Sequence, residues 1–409
     1  MLNHVLSSDT QAILLLCASF GQNRQLEPQP LTLSEYNSLA DWLRSQQLRP
    51  ADLLEPTAKE VVEKITNPKL HPHRLLTLLE RGAMLSLAVE KWTNQGLWVL
   101  GRGDSNYPKR LKQRLRHSAP AILYGVGNIE LLSRGGLAIV GSRDVDGESL
   151  SYTQRVAQTC FAHDIQVISG GARGVDQAAM LGVLESGGTS IGVLADSLTK
   201  ASVNGKYRTS IKEGRLALIS SYDPDAGFNT GNAMGRNKYI YALADRALVV
   251  SSSLGKGGTW AGAVEALEKI RDIPIFVRMH PSVSEGNQQL HDKGAKPFPS
   301  EPWETSFKEL LATSASLDEP VQIPQAIAHS HLQNGDDGTK DIIYEAVLPL
   351  ILEHLQQPQN VEALAESLNV RRSQMQDWLD KAVVEGHVRK TNKPVTYVMN
   401  QSATQLSFL

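Results

Sequence analysis

The chain of 409 residues is poor in the features that mark several protein classes. It has two cysteines, Cys17 and Cys160. That is too few for a secreted disulfide scaffold or a cysteine-rich zinc site, and both are expected to be reduced, buried thiols. Long hydrophobic runs are lacking. The longest, Ala12 to Phe20, falls far short of the ~20 residues that cross a bilayer. Nothing basic precedes it, so no signal peptide is expected, and it reads as a buried helix of a cytoplasmic protein with no membrane partner. Charge of one sign is also missing. A net charge of −2 excludes a generally polycationic protein but leaves room for a local basic patch.

Several chemical motifs are absent as well. There is no GxGxxG followed ~20 residues on by an acidic residue, and no GxxxxGK[ST]. Gly255-Lys256-Gly257-Gly258-Thr259 lacks the first Walker glycine and the Lys-Thr dipeptide. NAD binding and ordinary ATP hydrolysis are therefore disfavoured. His71 and His73 belong to no HExxH pattern, and Ser169 has no histidine at a telling spacing. No catalytic residue, metal or cofactor is expected.

What is present is an ordinary globular composition, 41% hydrophobic and 21% charged. At roughly 100–200 residues per domain the length allows two to four domains. Residues 1–95 read as a helical N-terminal domain. Thr32 and Glu35 fit a capping box, with Leu39, Trp42 and Leu43 at helical spacing behind them. Further helices are expected at Val61–Ile65, from His73, and from Leu87 to Trp92. Residues 96–280 change period. The apolar runs Leu97–Leu100, Leu137–Val140, Val167–Ile168, Ile191–Leu194, Leu216–Ile219, Leu248–Val250 and Ile275–Val277 are short and nearly continuous in hydrophobicity. From Leu137 onward such runs suit parallel strands covered on both faces, while Leu97–Leu100 is a short strand candidate ahead of them. The spacing predicts an α/β fold, a Rossmann-like doubly wound parallel sheet with ligands at the carboxyl ends of its strands. Residues 281–340 lose the rhythm and are rich in proline, and they read as a linker with one helix near Ser306–Ala312. Residues 341–400 offer three helices and a hairpin, the order of a C-terminal winged helix.

Three strand-end loops combine glycine with a cation: Gly141-Ser142-Arg143, then Ser169-Gly170-Gly171-Ala172-Arg173-Gly174-Val175-Asp176, then Lys256-Gly257-Gly258-Thr259. Glycine admits close backbone approach, and free N–H groups at a helix start favour an anion. Arg236-Asn237-Lys238, read as a helix start, is expected near the same edge. Taken singly each loop is ordinary for a doubly wound fold. Their convergence points to a phosphate-bearing ligand held by Gly141, Ser142, Arg143, Ser169, Gly170, Gly171, Arg173, Gly174, Arg236, Asn237, Lys238, Lys256, Gly257 and Thr259. Asp176 is expected to orient its loop rather than act as a base. The basic run Lys109, Arg110, Lys112, Arg114, Arg116, His117 is either a solvated helix face or an extension of the site along a polymer backbone.

The residues also resemble a known family. Asp104-x-x-Tyr107-Pro108, followed by Leu123-Tyr124-Gly125-x-Gly127-Asn128, is similar to the lead-in of the DprA (Smf) family. Ile139-Val140-Gly141-Ser142-Arg143 matches its I-V-G-S-R, Ser169 to Asp176 its S-G-x-A-x-G-I-D, and Arg236-Asn237-Lys238-x-Ile240 its R-N-R-x-I. The resemblance implies a non-enzymatic protein that binds and protects single-stranded DNA, forms a homodimer, and helps load a RecA-type recombinase during natural transformation. It makes Ser142, Arg143, Gly171, Arg173, Arg236, Asn237 and Lys256 candidate DNA contacts. The sequence departs from the family's pattern at Asn204–Arg208, Ser220-Ser221-Tyr222, Ser251 and Val277-Arg278-Met279. Those departures leave open a divergent paralogue acting in recombination or in defence against mobile DNA.

A rival reading is a nucleotide-binding sensor or nucleotide hydrolase similar to the LOG enzymes, whose signature resembles P-G-G-x-G-T-x-x-E. Here Gly257-Gly258-Thr259 is present, but Glu265 lies too far along for the signature's glutamate. A third reading is a regulator tethered to DNA by its winged helix, with Arg371, Arg372 and Gln374 at a helix start and Arg389, Lys390 and Lys393 on the wing. In that reading the α/β domain would bind a small effector. Asp377, Asp380 and Glu385 on the same helix oppose a duplex, so protein docking is favoured for that segment, with duplex DNA as the alternative.

Overall fold

The computed structural model describes residues 6–20, 28–270, 272–279, 284–299, 301, 303, 307, 342–368, 370, 372–392 and 395–400. The chain divides into two compact units, Met1–Pro320 and Val321–Leu409.

The first unit is built on one mixed sheet. Its strands are β1 (Leu97–Gly101), β2 (Ile122–Gly127), β3 (Leu137–Val140), β4 (Val167–Ser169), β5 (Ser190–Val193), β6 (Leu216–Ser220), β7 (Arg246–Val249), β8 (Ile275–Arg278) and β9 (Lys296–Phe298). They run in the order β1-β2-β6-β5-β4-β3-β7-β8-β9. From β6 to β9 all neighbours are parallel, while β2 joins β6 and β1 joins β2 antiparallel. The expected runs are all strands, to within a residue or two. Two strands of the sheet, β2 and β9, were not among them.

The alternation of side chains explains why the runs look continuously apolar. Leu137, Ile139, Val167, Leu216, Leu218 and Leu248 point to one face and join one hydrophobic cluster. Their neighbours Ala138, Val140, Ile168, Ala217, Ile219 and Val249 point to the other face and join a second. With helices on both faces, neither half of the period-2 pattern can be polar. The helices Gly147–Ala162 and Val175–Glu185 cover the first face. Thr230–Leu243 and Gly257–Lys269 cover the second.

The N-terminal helices do not form a core of their own. Leu14, Leu39, Leu43 and Trp92 belong to the same cluster as the first sheet face. The Trp92 ring meets Tyr124 of β2 edge-on, with centroids 5.1 Å apart. The domain limit expected at residue 95 therefore lies inside this unit. The capping box forms as expected. Thr32 Oγ1 accepts from the Glu35 N–H, and a Glu35 carboxylate oxygen accepts from the Thr32 N–H at 2.7 Å, opening the Leu33–Ser45 helix.

The Asp104-x-x-Tyr107-Pro108 stretch ties these layers together. The Asp104 carboxylate accepts from Ser7 Oγ (2.6 Å), Thr10 Oγ1 (2.7 Å) and the Gly101 N–H (2.8 Å). It thereby fastens the Ser8–Cys17 helix to the end of β1. Tyr107 is fully buried and donates its hydroxyl to the Pro120 carbonyl at 2.8 Å.

Beyond residue 280 the sheet continues. The Glu285–Asp292 helix packs on it, and β9 pairs with β8. Within the stretch expected to be linker, residues 284–298 are thus part of the fold, with Trp303 and Phe307 buried. Apart from Phe307, the helix expected at Ser306–Ala312 lies outside the described residues.

The second unit contains the helices Ile342–His354, Val361–Ser367 and Arg372–Val384. An antiparallel hairpin of β10 (Val388–Asn392) and β11 (Val395–Met399) follows. Tyr344, Ile351, Leu364, Met375, Leu379 and Tyr397 form its core.

Removing the Asp104 carboxylate should leave the buried Thr10 hydroxyl without its acceptor and loosen the tie to β1. Asp104→Ala is expected to destabilise the chain by about 2 kcal/mol, read as a lower urea midpoint. An unchanged midpoint would show that the helix is held by its apolar contacts alone.

Candidate anion-binding site at the sheet's switch point

The order of strands creates a crevice. The chain moves from β3 outward through β4, β5 and β6, then returns across the sheet to β7 on the other side of β3. The loops after β3 and β7 thus diverge, and ligands of open α/β sheets bind at such a point. A cleft of about 540 Å³ lies there. Its walls come from Gly141, Ser142 and Arg143 after β3, Ser253 to Thr259 after β7, and one face of the Thr230–Leu243 helix. A second hollow of about 290 Å³ adjoins it, lined by Gly170 to Arg173, Leu194, Ala195 and Asp196. Both are bounded by Arg143, Phe228 and Arg236.

Arg236 is the centre of the arrangement. It is 4% exposed, with its Nη2 3.8 Å from an oxygen of the buried Asp176. Its Nε and Nη1 have no hydrogen-bond partner among the described residues. Burial works against both charges. It raises the Asp176 carboxyl above the usual range, against the pull of Arg236 and of the Gly141, Ala172 and Gly170 N–H groups. It lowers the Arg236 guanidinium, against the pull of Asp176, while the like charge of Arg143 adds to the lowering. The guanidinium lies on the Gly170 backbone. A Cβ added at Gly170 would sit 1.6 Å from Arg236 Nη1. Gly174 is needed for a different reason. Its φ is +84°, and a Cβ there would meet the carbonyl oxygens of Ser142 and Arg143 at about 2.5 Å.

The rim carries long, exposed cations, one in an ion pair and two without an ion-pair partner among the described residues. Arg173 is exposed but paired with Asp144 at 2.5 Å. Arg143 is exposed, its guanidinium carbon 5.0 Å from the centroid of the Phe228 ring. Lys256 is exposed at the start of the Gly257–Lys269 helix, with no ion-pair partner among the described residues.

The other expected residues serve the frame. Ser142 donates both its N–H (3.0 Å) and its hydroxyl (3.2 Å) to the Ser251 carbonyl, joining the β3 and β7 loops. Thr259 Oγ1 donates to the Gly141 carbonyl at 2.9 Å. Asn237 Nδ2 donates to the Gly258 carbonyl at 2.8 Å, anchoring a helix start. Ser169 is wholly buried and donates to the Ile139 carbonyl at 2.6 Å, away from both hollows. Lys238 lines neither hollow and lies over the Tyr239 ring. Asp176 accepts from the Gly141 N–H at 3.4 Å, so its bond reaches the loop after β3 rather than only its own loop. Glu265 pairs with Lys269 at 3.2 Å and is not part of the lining.

The basic run is not an extension of the site. Arg110 pairs with Asp245, and Arg114 reaches Asp272 at 2.8 Å and the carbonyls of Ala242 (3.0 Å) and Ala244. These partners precede β7 and β8, so they lie at the amino edge of the parallel strands, opposite the cleft. The run clamps its helix to that edge. Conversely, Phe228 and Tyr241 of the lining were not singled out by sequence. Phe228 is 56% exposed, an aromatic in a Gly-Phe-Asn step just before a helix cap. That is the signal that could have found it.

The family model of DNA recombination-mediator protein A matches residues 98–308, just over half of the chain. The chain belongs to this family. Its relatives include DNA processing protein DprA of Streptococcus pneumoniae, 29% identical over 196 residues, a match spanning 47% of this chain and 68% of that protein. Protein Smf of Escherichia coli is 27% identical over 256 residues, 62% of this chain and 64% of the relative. The X-ray structure of the S. pneumoniae DprA shares the fold, with a TM-score of 0.55 and 20% identity over 72% of this chain and 95% of that one. The family match runs from within β1 to beyond β9 and includes the stretch past residue 280.

If Arg236 needs the bare Gly170 backbone, Gly170→Ala should displace the guanidinium. It is expected to weaken any anion bound in the cleft at least tenfold. Gly205→Ala, at a position with open space, should not. Equal affinities for the two variants, measured by calorimetry, would remove Arg236 from the site.

Proposed function

We propose that this DprA-family chain binds single-stranded DNA in the cleft at the switch point, gripping phosphates without reading sequence. The observation that carries the proposal is Arg236, a nearly buried guanidinium with unpartnered nitrogens beneath two exposed cations, Arg143 and Lys256. A surplus of donors calls for an acceptor-rich ligand, and phosphate is the commonest. Phe228 supports a polymer over a lone anion. It offers an exposed ring beside Arg143, and a nucleobase of any kind can stack there.

The reading is of a binding protein rather than an enzyme. Glu265, the carboxylate a nucleotide hydrolase of the rival kind would use, is engaged with Lys269 outside the lining. The homodimer, the cytoplasmic location and hand-over to a RecA-type recombinase follow from the family resemblance and complete the proposal. Among the described residues no helix is long and apolar enough to cross a membrane. For the C-terminal unit we infer protein docking by a winged helix rather than duplex binding. Arg372 pairs with Glu362 at 2.7 Å, and Lys390 lies 3.9 Å from Asp380, so these two cations are matched by acids. Arg371 and Lys393, and the side chain of Gln374, lie outside the described residues.

Arg143→Ala combined with Lys256→Ala is expected to weaken single-stranded DNA binding at least tenfold. The salt slope should fall by roughly 0.7 for each phosphate that is no longer neutralised. A folded double variant with unchanged affinity would place the DNA elsewhere. Deleting residues 341–409 should change the affinity less than threefold, whereas a loss of a hundredfold would make the C-terminal unit a principal DNA-binding surface.

A further inference from the structure

Besides the exposed rim cations, two buried polar residues line the cleft, Arg236 and Tyr241. Tyr241 lines it from the Thr230–Leu243 helix and is 1% exposed. Its hydroxyl has no partner among the described residues, as is true of Arg236 Nε and Nη1. Burial raises the phenol's pKa and the charge of Asp176 adds to this, so the group stays a neutral donor and stands near the same carboxylate that Arg236 faces. The acceptors here are already engaged. Asp176 takes the Gly141 N–H and faces Arg236. What remains is an excess of donors sealed from water, which an acceptor-rich ligand would satisfy.

Charge narrows the ligand further. Asp176 offsets Arg236, Arg173 takes up Asp144, and Asp196 in the adjoining hollow acts on Arg236 as well. Arg143 and Lys256 are left uncompensated by any ion pair among the described residues, beside the start of the thirteen-residue Gly257–Lys269 helix. An internal phosphodiester brings one negative charge and has two of its oxygens tied into the chain. A terminal phosphate monoester brings about −1.5 to −2 and three acceptor oxygens, and it projects from the end of a strand.

We propose that Tyr241 and Arg236 form the floor of a seat for a terminal phosphate monoester, so that the cleft holds a phosphorylated DNA end in preference to an unphosphorylated one. The inference rests on the DNA-binding reading above and goes beyond it by naming the chemical group. It distinguishes this chain's Tyr241 from the rim cations, which meet any phosphate.

The test uses the full chain and one oligonucleotide sequence in three forms: 5′-phosphorylated, 3′-phosphorylated and with both ends free. Affinities are read by fluorescence anisotropy for the wild type and for Tyr241→Phe, which removes only the hydroxyl. At least one phosphorylated form is expected to bind the wild type about tenfold more tightly than the unphosphorylated strand. In Tyr241→Phe that advantage should shrink to threefold or less while affinity for the unphosphorylated strand stays within twofold. The arm that gains identifies the end. Equal binding of all three forms by the wild type overturns the proposal, as does a preference that survives Tyr241→Phe unchanged. Absence of binding to every form would instead overturn the single-stranded DNA reading itself. A thermal melt of the variant within about 2 °C of wild type, the shift of a fraction of a kcal/mol in a chain this size, verifies the fold.

Discussion

Two opposite charges, Arg236 and Asp176, are carried into a place that water hardly enters, and the local architecture is arranged around that fact. A buried pair held at 3.8 Å recovers little of its lost hydration, so the rest must come from fixed dipoles. The Gly141 N–H is one, and the loop after β4 brings those of Gly170 and Ala172. For these to converge, β3 and β4 must end at the same edge, and the Gly170 position must carry no side chain. The glycines of the first two loops are therefore consequences of the pair as much as of any ligand. The same pair leaves Arg236 with nitrogens turned to nothing among the described residues, which makes the cleft receptive to an anion.

Much of this was legible in the sequence, for a physical reason. A strand covered on both faces has no polar register, and a strand that ends at a ligand needs glycine next. The rhythm of apolar run, glycine turn and helix thus revealed the parallel part of the sheet. β2 and β9 escaped because they break that rhythm. β2 is antiparallel and ends in no glycine–cation loop, and β9 is three residues long with a proline at its centre. Within the site, position along the chain was easier to read than the direction of a side chain. Ser142, Ser169, Asn237 and Thr259 stand in or beside the predicted loops, yet all spend their polar groups on backbone carbonyls. Hydroxyls and amides are short enough to satisfy the frame from within, whereas Arg143 and Lys256 are long and lie exposed.

The distribution of charge explains how a chain with a net charge of −2 can present a basic site. At the amino edge of the sheet, Arg110 and Arg114 are each matched by an aspartate, and their job is to fasten a helix. At the carboxyl edge the matching is incomplete. A run of lysine and arginine in sequence was the more conspicuous feature, but clustering along the chain measures neither direction nor compensation. Scattered cations on separate loops, each behind a different strand, meet in space because parallel strands send all their exits to one side.

The stretch beyond residue 280, which reads as linker, completes the site's support. Asn287 is wholly buried, and its amide nitrogen donates to the carbonyls of Val250 (3.0 Å) and Arg278 (3.0 Å) while its oxygen accepts from Ser252 Oγ (2.8 Å). Gly286 lets its helix close on this strand end, since a Cβ there would meet the Ser252 carbonyl oxygen at 2.3 Å. Ser251, the next residue back, accepts from Ser142 and so passes the constraint to the loop that bears Arg143. The Asn287 clamp holds the β7 exit from the adjoining helix, so the loop carrying Lys256 starts from a fixed point. Rigidity at that point keeps two like charges facing one cleft before any anion arrives, which lowers the ordering cost of binding.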